Sequence, residues 1–319
     1  MTATAADTMP PAMQDLLANR PHTRAVVDSV LQVWPEHAGY LQKSLAARSD
    51  DMLRATEAAA EAVRRLMKGA ELQVAADYRW TCDRLRDEEL FFHREGCYRL
   101  STFAEAMAEV YSDHAYMSRY VNGLLLTQVL WYNHVGTFEM FLHRVLGAAT
   151  APFDYLEVGP GHGLAVYFAA ASPLSRSLEA WDVSAVSLRE TRAALDKLGV
   201  EKPVTLTEVD ILKADRSDKA YDLIVISEVL EHLERPDVAL RFLRTALRDD
   251  GRIFINVPLN SPSPDHIYLF STQAEVEALV ADAGFKVESL EMYATQAKRL
   301  EFALSNRITV SAGVIARPG

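Results

Sequence analysis

Residues 153–163 read Phe-Asp-Tyr-Leu-Glu-Val-Gly-Pro-Gly-His-Gly, an apolar run that ends in three closely spaced glycines. Phe153, Tyr155, Leu156 and Val158 suit a strand covered on both faces, and Leu164, Ala165, Val166, Phe168 and Ala169 suit a helix that packs back onto it. Gly159, Gly161 and Gly163 allow the sharp turn between the two and let a ligand approach the backbone where a Cβ would clash. Amides at the helix start then face outward, toward an anionic or polar group. The dinucleotide fingerprint G-x-G-x-x-G needs glycine at position 164, where this chain has Leu164, which counts against nicotinamide and flavin.

Downstream of this turn, short apolar stretches alternate with helical ones. Strands are expected at 153–158, 178–183, 203–209, 221–227, 251–257, 285–293 and 307–316, with helices between the first five and before the sixth. The order predicts an α/β fold built on a Rossmann-like, doubly wound sheet of seven strands, with ligands beyond the carboxyl ends of the strands. Asp182 ends the second strand at that edge, where a carboxylate can accept both ribose hydroxyls of an adenosine; its spacing and position favour that role over capping the next helix before Ser184. Asp210 and Ile211 follow the third strand. The fourth runs into Ser227-Glu228-Val229-Leu230-Glu231-His232, and the proline-rich loop after the fifth, Pro258 to Ile267, brings His266 to the same edge.

Glu228, Glu231 and His232 stand at i, i+3 and i+4, so a helix starting at the strand end would project all three from one face. Two carboxylates and an imidazole gathered there form a pocket for a divalent metal. His232 and His266 are also the candidate catalytic residues, because an imidazole is the default general base near neutral pH.

Leu156 to Gly163 resembles the first motif of class I S-adenosylmethionine-dependent methyltransferases, an acidic residue followed by G-x-G-x-G, and Ser227 to Pro236 resembles their fourth-strand motif. The resemblance implies that Glu157, Gly159, Gly161 and Gly163 line the cofactor and that Asp182, followed by Val183, takes the ribose. It implies further that Asp210 accepts from the adenine amino group while Ile211 packs on the ring, and that the backbone near Ser227 and Glu228 lies against the methionine part. E-x-x-E-H with a later histidine is similar to the magnesium-binding set of small-RNA 2′-O-methyltransferases and to a pattern in ubiquinone-pathway O-methyltransferases. That likeness implies Glu228, Glu231, His232 and His266 as metal ligands. Family members without a metal also carry E-V-L-E-H, with the histidine facing substrate or packed, so a metal-free site stays open.

Residues 1–10 are expected to be a disordered tail, 11–150 a mostly α-helical domain and 151–319 the cofactor-binding domain. Within the helical part, Val74 to Glu88 reads as a helix and residues 90–100 as a hairpin turning at Gly96, which is similar to the winged-helix domain that pairs subunits and walls the substrate pocket in small-molecule O-methyltransferases. Residues 103–147 are rich in aromatics and histidines. Most suit packing, and Trp131, Tyr132 and His134 are the substrate-side candidates because the segment leads into the cofactor strand.

The net charge of -11 repels phosphate backbones and anionic surfaces, which argues against nucleic acid or membrane as partner. The two cysteines, Cys82 and Cys97, read as reduced thiols, and the start of the chain lacks the order of a signal peptide, so a cytoplasmic location is expected. The reading that results is a homodimeric methyltransferase acting on the oxygen of a small aromatic secondary metabolite. Alternatives are carbon or nitrogen methylation of an indole, amine or 2-oxo acid, a winged-helix regulator that binds S-adenosylmethionine, a nucleic-acid methyltransferase, and a pseudoenzyme.

Overall fold

A computed structural model describes residues 9–214 and 216–319. The expected tail lies outside the described residues except at its end, where Met9 is already buried. The strands are β1 (Phe153–Val158), β2 (Ser175–Asp182), β3 (Val204–Glu208), β4 (Tyr221–Ser227), β5 (Leu247–Leu259), β6 (Phe285–Ala294) and β7 (Val310–Pro318). They form one sheet in the order β3-β2-β1-β4-β5-β7-β6. All neighbours are parallel except β7, which runs antiparallel between β5 and β6. The chain steps outward from β1 to β3 and returns to β4, so a topological switch point opens between β1 and β4, where such sheets bind ligands.

The helical part comprises α1 (Pro11–Leu16), α2 (Pro21–Val33), α3 (Ala38–Ala46), α4 (Asp50–Leu66), α5 (Glu71–Glu95), the short α6 (Phe103–Ala106), α7 (His114–Leu130) and α8 (Tyr132–Met140). The sheet is flanked by α9 (Leu164–Ala171), α10 (Ala185–Leu198), α11 (Pro236–Ala246), α12 (Gln273–Asp282) and α13 (Leu300–Ser305). One apolar cluster runs without a break from Val27, Leu45 and Val63 in the N-terminal helices to Tyr155, Val225, Phe254 and Ile315 on one face of the sheet. The opposite face, with Leu156, Ile224 and Ile255, packs against Leu240, Leu243 and Val276. The N-terminal helices therefore cover one side of the sheet directly, and burial of their apolar stripes is part of the same core.

The expected hairpin at 90–100 does not form. Helix α5 continues to Glu95, and Gly96, at φ 82°, is the left-handed residue that ends it, with its N–H donating to Phe92 O at 2.8 Å. Gly96 thus marks a helix C-terminus where the sequence suggested a turn between strands, and no strand precedes β1 among the described residues. The buried Asp77 carboxylate ties α5 to α7 by accepting from Arg119 Nε at 3.1 Å and Asn122 Nδ2 at 3.0 Å. The buried Arg48 caps the C-terminal end of α7, donating to Val129 O at 2.8 Å and Leu130 O at 3.0 Å, where the helix dipole favours a cation.

His37 is sandwiched between Trp34, with ring centroids 3.9 Å apart, and Tyr40, at 4.5 Å, and its Nε2 shares a hydrogen bond with the Tyr78 hydroxyl at 2.9 Å. Burial lowers its pKa from 6.5 to about 4. A group whose folded-state pKa is depressed stays neutral in the fold while the unfolded chain takes up a proton. Its contribution is complete above about pH 6.5 and is lost as pH falls toward 4. Calorimetric melting temperatures should therefore drop between pH 6.5 and 4, and His37→Asn should flatten that slope by up to about 3 kcal/mol across the window. An unchanged slope would remove His37 from the account.

Candidate active site

At the end of β1 the backbone stays laddered to β2, with Gly159 N–H donating to Trp181 O at 2.8 Å. It then turns into α9 with Gly159 at φ 68°. The turn is anchored from two sides: the His162 Nε2–H donates to Val121 O on α7 at 2.9 Å, and Thr191 Oγ1 on α10 donates to Gly161 O at 2.8 Å. Glu157 is buried beneath the turn and accepts from the Tyr155 hydroxyl at 2.9 Å; burial pushes its pKa up to about 8.

Asp182 sits at the carboxyl end of β2, and its Oδ1 accepts from Ser184 N at 2.8 Å. Ser184, not Asp182, caps α10, accepting from Ser187 N at 3.2 Å. Burial raises the Asp182 carboxyl above its ordinary range, while Val183 beside it is exposed. Asp210 accepts from Leu212 N at 3.0 Å and pairs with Lys213 at 2.8 Å, while Ile211 is buried among the residues of the sheet's second face. Desolvation pushes the Asp210 carboxyl up, and Lys213 with the Leu212 amide more than offsets it.

The segment after β4 departs from the expected helix. Glu228 takes φ 54°, and only a single short turn, Leu230–His232, follows. The Glu228 side chain is held by Asn256: its Oε1 accepts from Asn256 Nδ2 at 3.0 Å, and the same amide donates to Ser227 Oγ at 3.0 Å. Burial raises the Glu228 pKa to about 7. The four residues expected to ligate a metal are thus not all brought together; Glu231, His232 and His266 are, with potential ligand atoms within 4.8 Å of one another.

Glu231 is completely buried. Apart from the field of its own backbone amide, neither carboxylate oxygen has a hydrogen-bond partner among the described residues. Burial, with Glu228 and Asp265 nearby, holds its carboxyl well above the carboxylate range. Its Oε1 lies 3.8 Å from His232 Nε2 and 4.0 Å from His266 Nε2. Both imidazoles are locked from behind: His232 Nδ1–H donates to Asp265 O at 3.0 Å and His266 Nδ1–H to Ser261 O at 2.7 Å. Each Nε2 is therefore left with its lone pair, and the two face the orphaned carboxylate.

Three residues the sequence reading missed support this cluster. Asp265 accepts from Tyr111 at 3.2 Å and Tyr120 at 3.1 Å, so the segment before β1 is hydrogen-bonded to the histidine loop. These tyrosines lie in the aromatic-rich stretch, and Asp265 directly precedes His266, but nothing in their spacing announced the contact. Of the substrate-side candidates, His134 lines a cavity beneath the β4 edge. Trp131 is drawn away, its indole N–H donating to Tyr78 at 3.0 Å, and Tyr132 packs edge-on against Tyr293 with centroids 6.4 Å apart.

Gly159 is the turn's most confined point, since a Cβ there would stand 2.4 Å from Val229 Cγ2. Gly159→Ala should cost about 2 kcal/mol by denaturant unfolding through the left-handed backbone and the clash together. Adding Val229→Ala should recover part of that loss beyond additivity; strict additivity would contradict the clash.

Residues 136–290 match the family model described as a methyltransferase domain. No curated protein matches the chain significantly. Among solved structures the chain is similar to the mitomycin 7-O-methyltransferase MmcR, at 15% identity and a TM-score of 0.50, over 78% of this chain and 70% of that one. It is also similar to a SAM dependent methyltransferase from Aquifex aeolicus, at 18% identity and a TM-score of 0.41, over 55% of this chain and 88% of the other. The [4+2]-cyclase SpnF matches at 15% identity and a TM-score of 0.45, over 56% of this chain and 79% of its own. At these identities the structural likenesses speak for the fold alone. The glycine turn after β1, the strand order and the matched family model converge: the chain carries a methyltransferase domain of the class I S-adenosylmethionine-dependent type.

Proposed function

We propose that this methyltransferase acts in the cytoplasm on a hydroxyl of a small aromatic secondary metabolite, with a divalent metal held by Glu231, His232 and His266. The observation that carries the reading is the buried Glu231 carboxylate, without a hydrogen-bond partner and faced by two imidazole lone pairs. Burial disfavours the ionised form of Glu231, and a bound cation would supply the partner that its carboxylate lacks. The 3.8 and 4.0 Å separations of Glu231 Oε1 from the two imidazole nitrogens lie within about 1 Å of the ~3.4 Å between ligand atoms in a tetrahedral site. Two imidazoles and one carboxylate suit zinc, iron or nickel better than magnesium.

S-adenosylmethionine would lie across the β1–β4 switch point. The glycine turn over Glu157 would hold its centre, Asp182 the ribose beside Val183, Asp210 and Ile211 the adenine, and Ser227 with Glu228 the methionine part. Asp210 would exchange its Lys213 contact for the adenine amino group, which that lysine permits because its side chain is 83% exposed. A metal, when bound, would lower the pKa of a coordinated hydroxyl and fix its oxygen in line with the sulfonium methyl. Asp265 and Ser261 hold the two imidazoles in the tautomer this role needs. Tyr111 and Tyr120 tie the N-terminal segment to the loop that carries His266. Residues 11–150 serve in this reading as substrate lid and homodimer contact.

Purified protein should carry about one transition metal per chain by elemental analysis. Glu231→Gln and His266→Ala should each lower metal affinity by about 10-fold or more while calorimetric binding of S-adenosylhomocysteine persists. A chain that binds the cofactor product yet holds no metal in any of these forms would refute the metal and leave the histidines as bases.

A further inference from the structure

We propose that Asp265 is a positioning residue of the metal site, its carboxylate acting through His232 to supply the second negative charge that a buried divalent cation needs. This rests on the reading that Glu231, His232 and His266 hold a metal. Imidazoles ligate in their neutral form, so Glu231 meets only one of the two charges of such an ion. The other has to be met close by, because an unpaired charge in a buried site is costly.

Asp265 is buried, and among the described residues its carboxylate makes an ion contact only with His232, whose Nδ1 lies 3.6 Å from Oδ2. The tautomer of that ring does not call for an acidic side chain. The main-chain carbonyl of Asp265 already accepts from Nδ1–H at 3.0 Å, and a residue of any type would supply it. What the side chain adds is a charge, and the charge is gripped by hydroxyls: Oδ1 accepts from Tyr120 at 3.1 Å and from Ser263 at 3.0 Å, and Oδ2 accepts from Tyr111 at 3.2 Å. Hydroxyl donors favour the ionised carboxylate without cancelling its charge. Tyr111 gives its hydrogen to Asp265 and so turns a lone pair toward His232 Nδ1, 3.3 Å away. The Nδ1–H of His232 therefore faces a carbonyl, a phenol oxygen and a carboxylate. Such surroundings stabilise the positive charge that the ring gains when a cation takes Nε2. Two of the three hydroxyls belong to the segment before β1, which thereby helps to set metal affinity.

Zinc titrations of the full chain by calorimetry, with the histidine rings followed by long-range proton–nitrogen NMR, test this. Asp265→Asn keeps the size of the side chain and the main-chain carbonyl but removes the charge, and should weaken zinc binding about 10-fold or more. Tyr111→Phe keeps the charge but loosens its grip, and should weaken zinc binding about 3-fold. In both zinc-bound variants the Nδ1–H resonance of His232 should move further from its wild-type position than that of His266, which donates to Ser261 O instead. Zinc affinity unchanged in Asp265→Asn, or a loss in which the two rings move alike, would overturn the proposal. Should Asp265→Asn fail to fold, as judged by a lost S-adenosylhomocysteine isotherm, Tyr111→Phe decides, and an unchanged zinc affinity there overturns it. A wild-type chain that binds S-adenosylhomocysteine but no zinc would overturn the metal reading and this proposal together, whereas equal zinc binding by wild type and Asp265→Asn overturns this proposal alone.

Discussion

A carboxylate placed in a fully buried position with no hydrogen-bond partner is costly, and the surroundings of Glu231 look built around that cost. The short turn Leu230–His232 puts Glu231 under the proline-rich loop, whose Ile267 and Tyr268 amides both donate to the Glu231 carbonyl, at 3.0 and 2.9 Å. That pinning fixes the loop, and the loop in turn supplies His266 and the carbonyls of Ser261 and Asp265 that set both imidazole tautomers. The N-terminal segment then closes on Asp265 through Tyr111 and Tyr120.

The sheet does less chemistry than positioning. Its switch point puts the glycine turn of β1 next to the Ser227–Glu228 end of β4, and the continuous core shared with the N-terminal helices holds α8 against the same edge. The helices are therefore walls of the site as well as part of the core, which is why a cavity lined by α8 residues can adjoin residues that follow β4.

Local features were the readable ones. Apolar runs bounded by glycine and polar residues marked the strands, most plainly β1 and β4, which are central and parallel and are covered on both faces. Gly96 misled because the same residue ends a helix or turns a hairpin; only the packing of α5 on α7 decides between them. Glu228 misled for a related reason. Helical spacing assumed right-handed backbone at the strand end, whereas Asn256, a polar residue in an apolar strand, captures Glu228 in a left-handed conformation. Asp265, Tyr111 and Tyr120 lie far apart in sequence, so their meeting is a property of the tertiary fold that no local pattern carries.

The central claim is that two imidazole lone pairs converge on the Glu231 carboxylate. The most direct measurement is long-range proton–nitrogen NMR of the histidine side chains, recorded on metal-free protein and again after addition of zinc. The account predicts Nδ1–H tautomers for His232 and His266, with both Nε2 resonances shifting on zinc and about 10-fold or more zinc needed for the same shifts in Glu231→Gln. Nε2–H tautomers, or zinc shifts indifferent to Glu231, would contradict it.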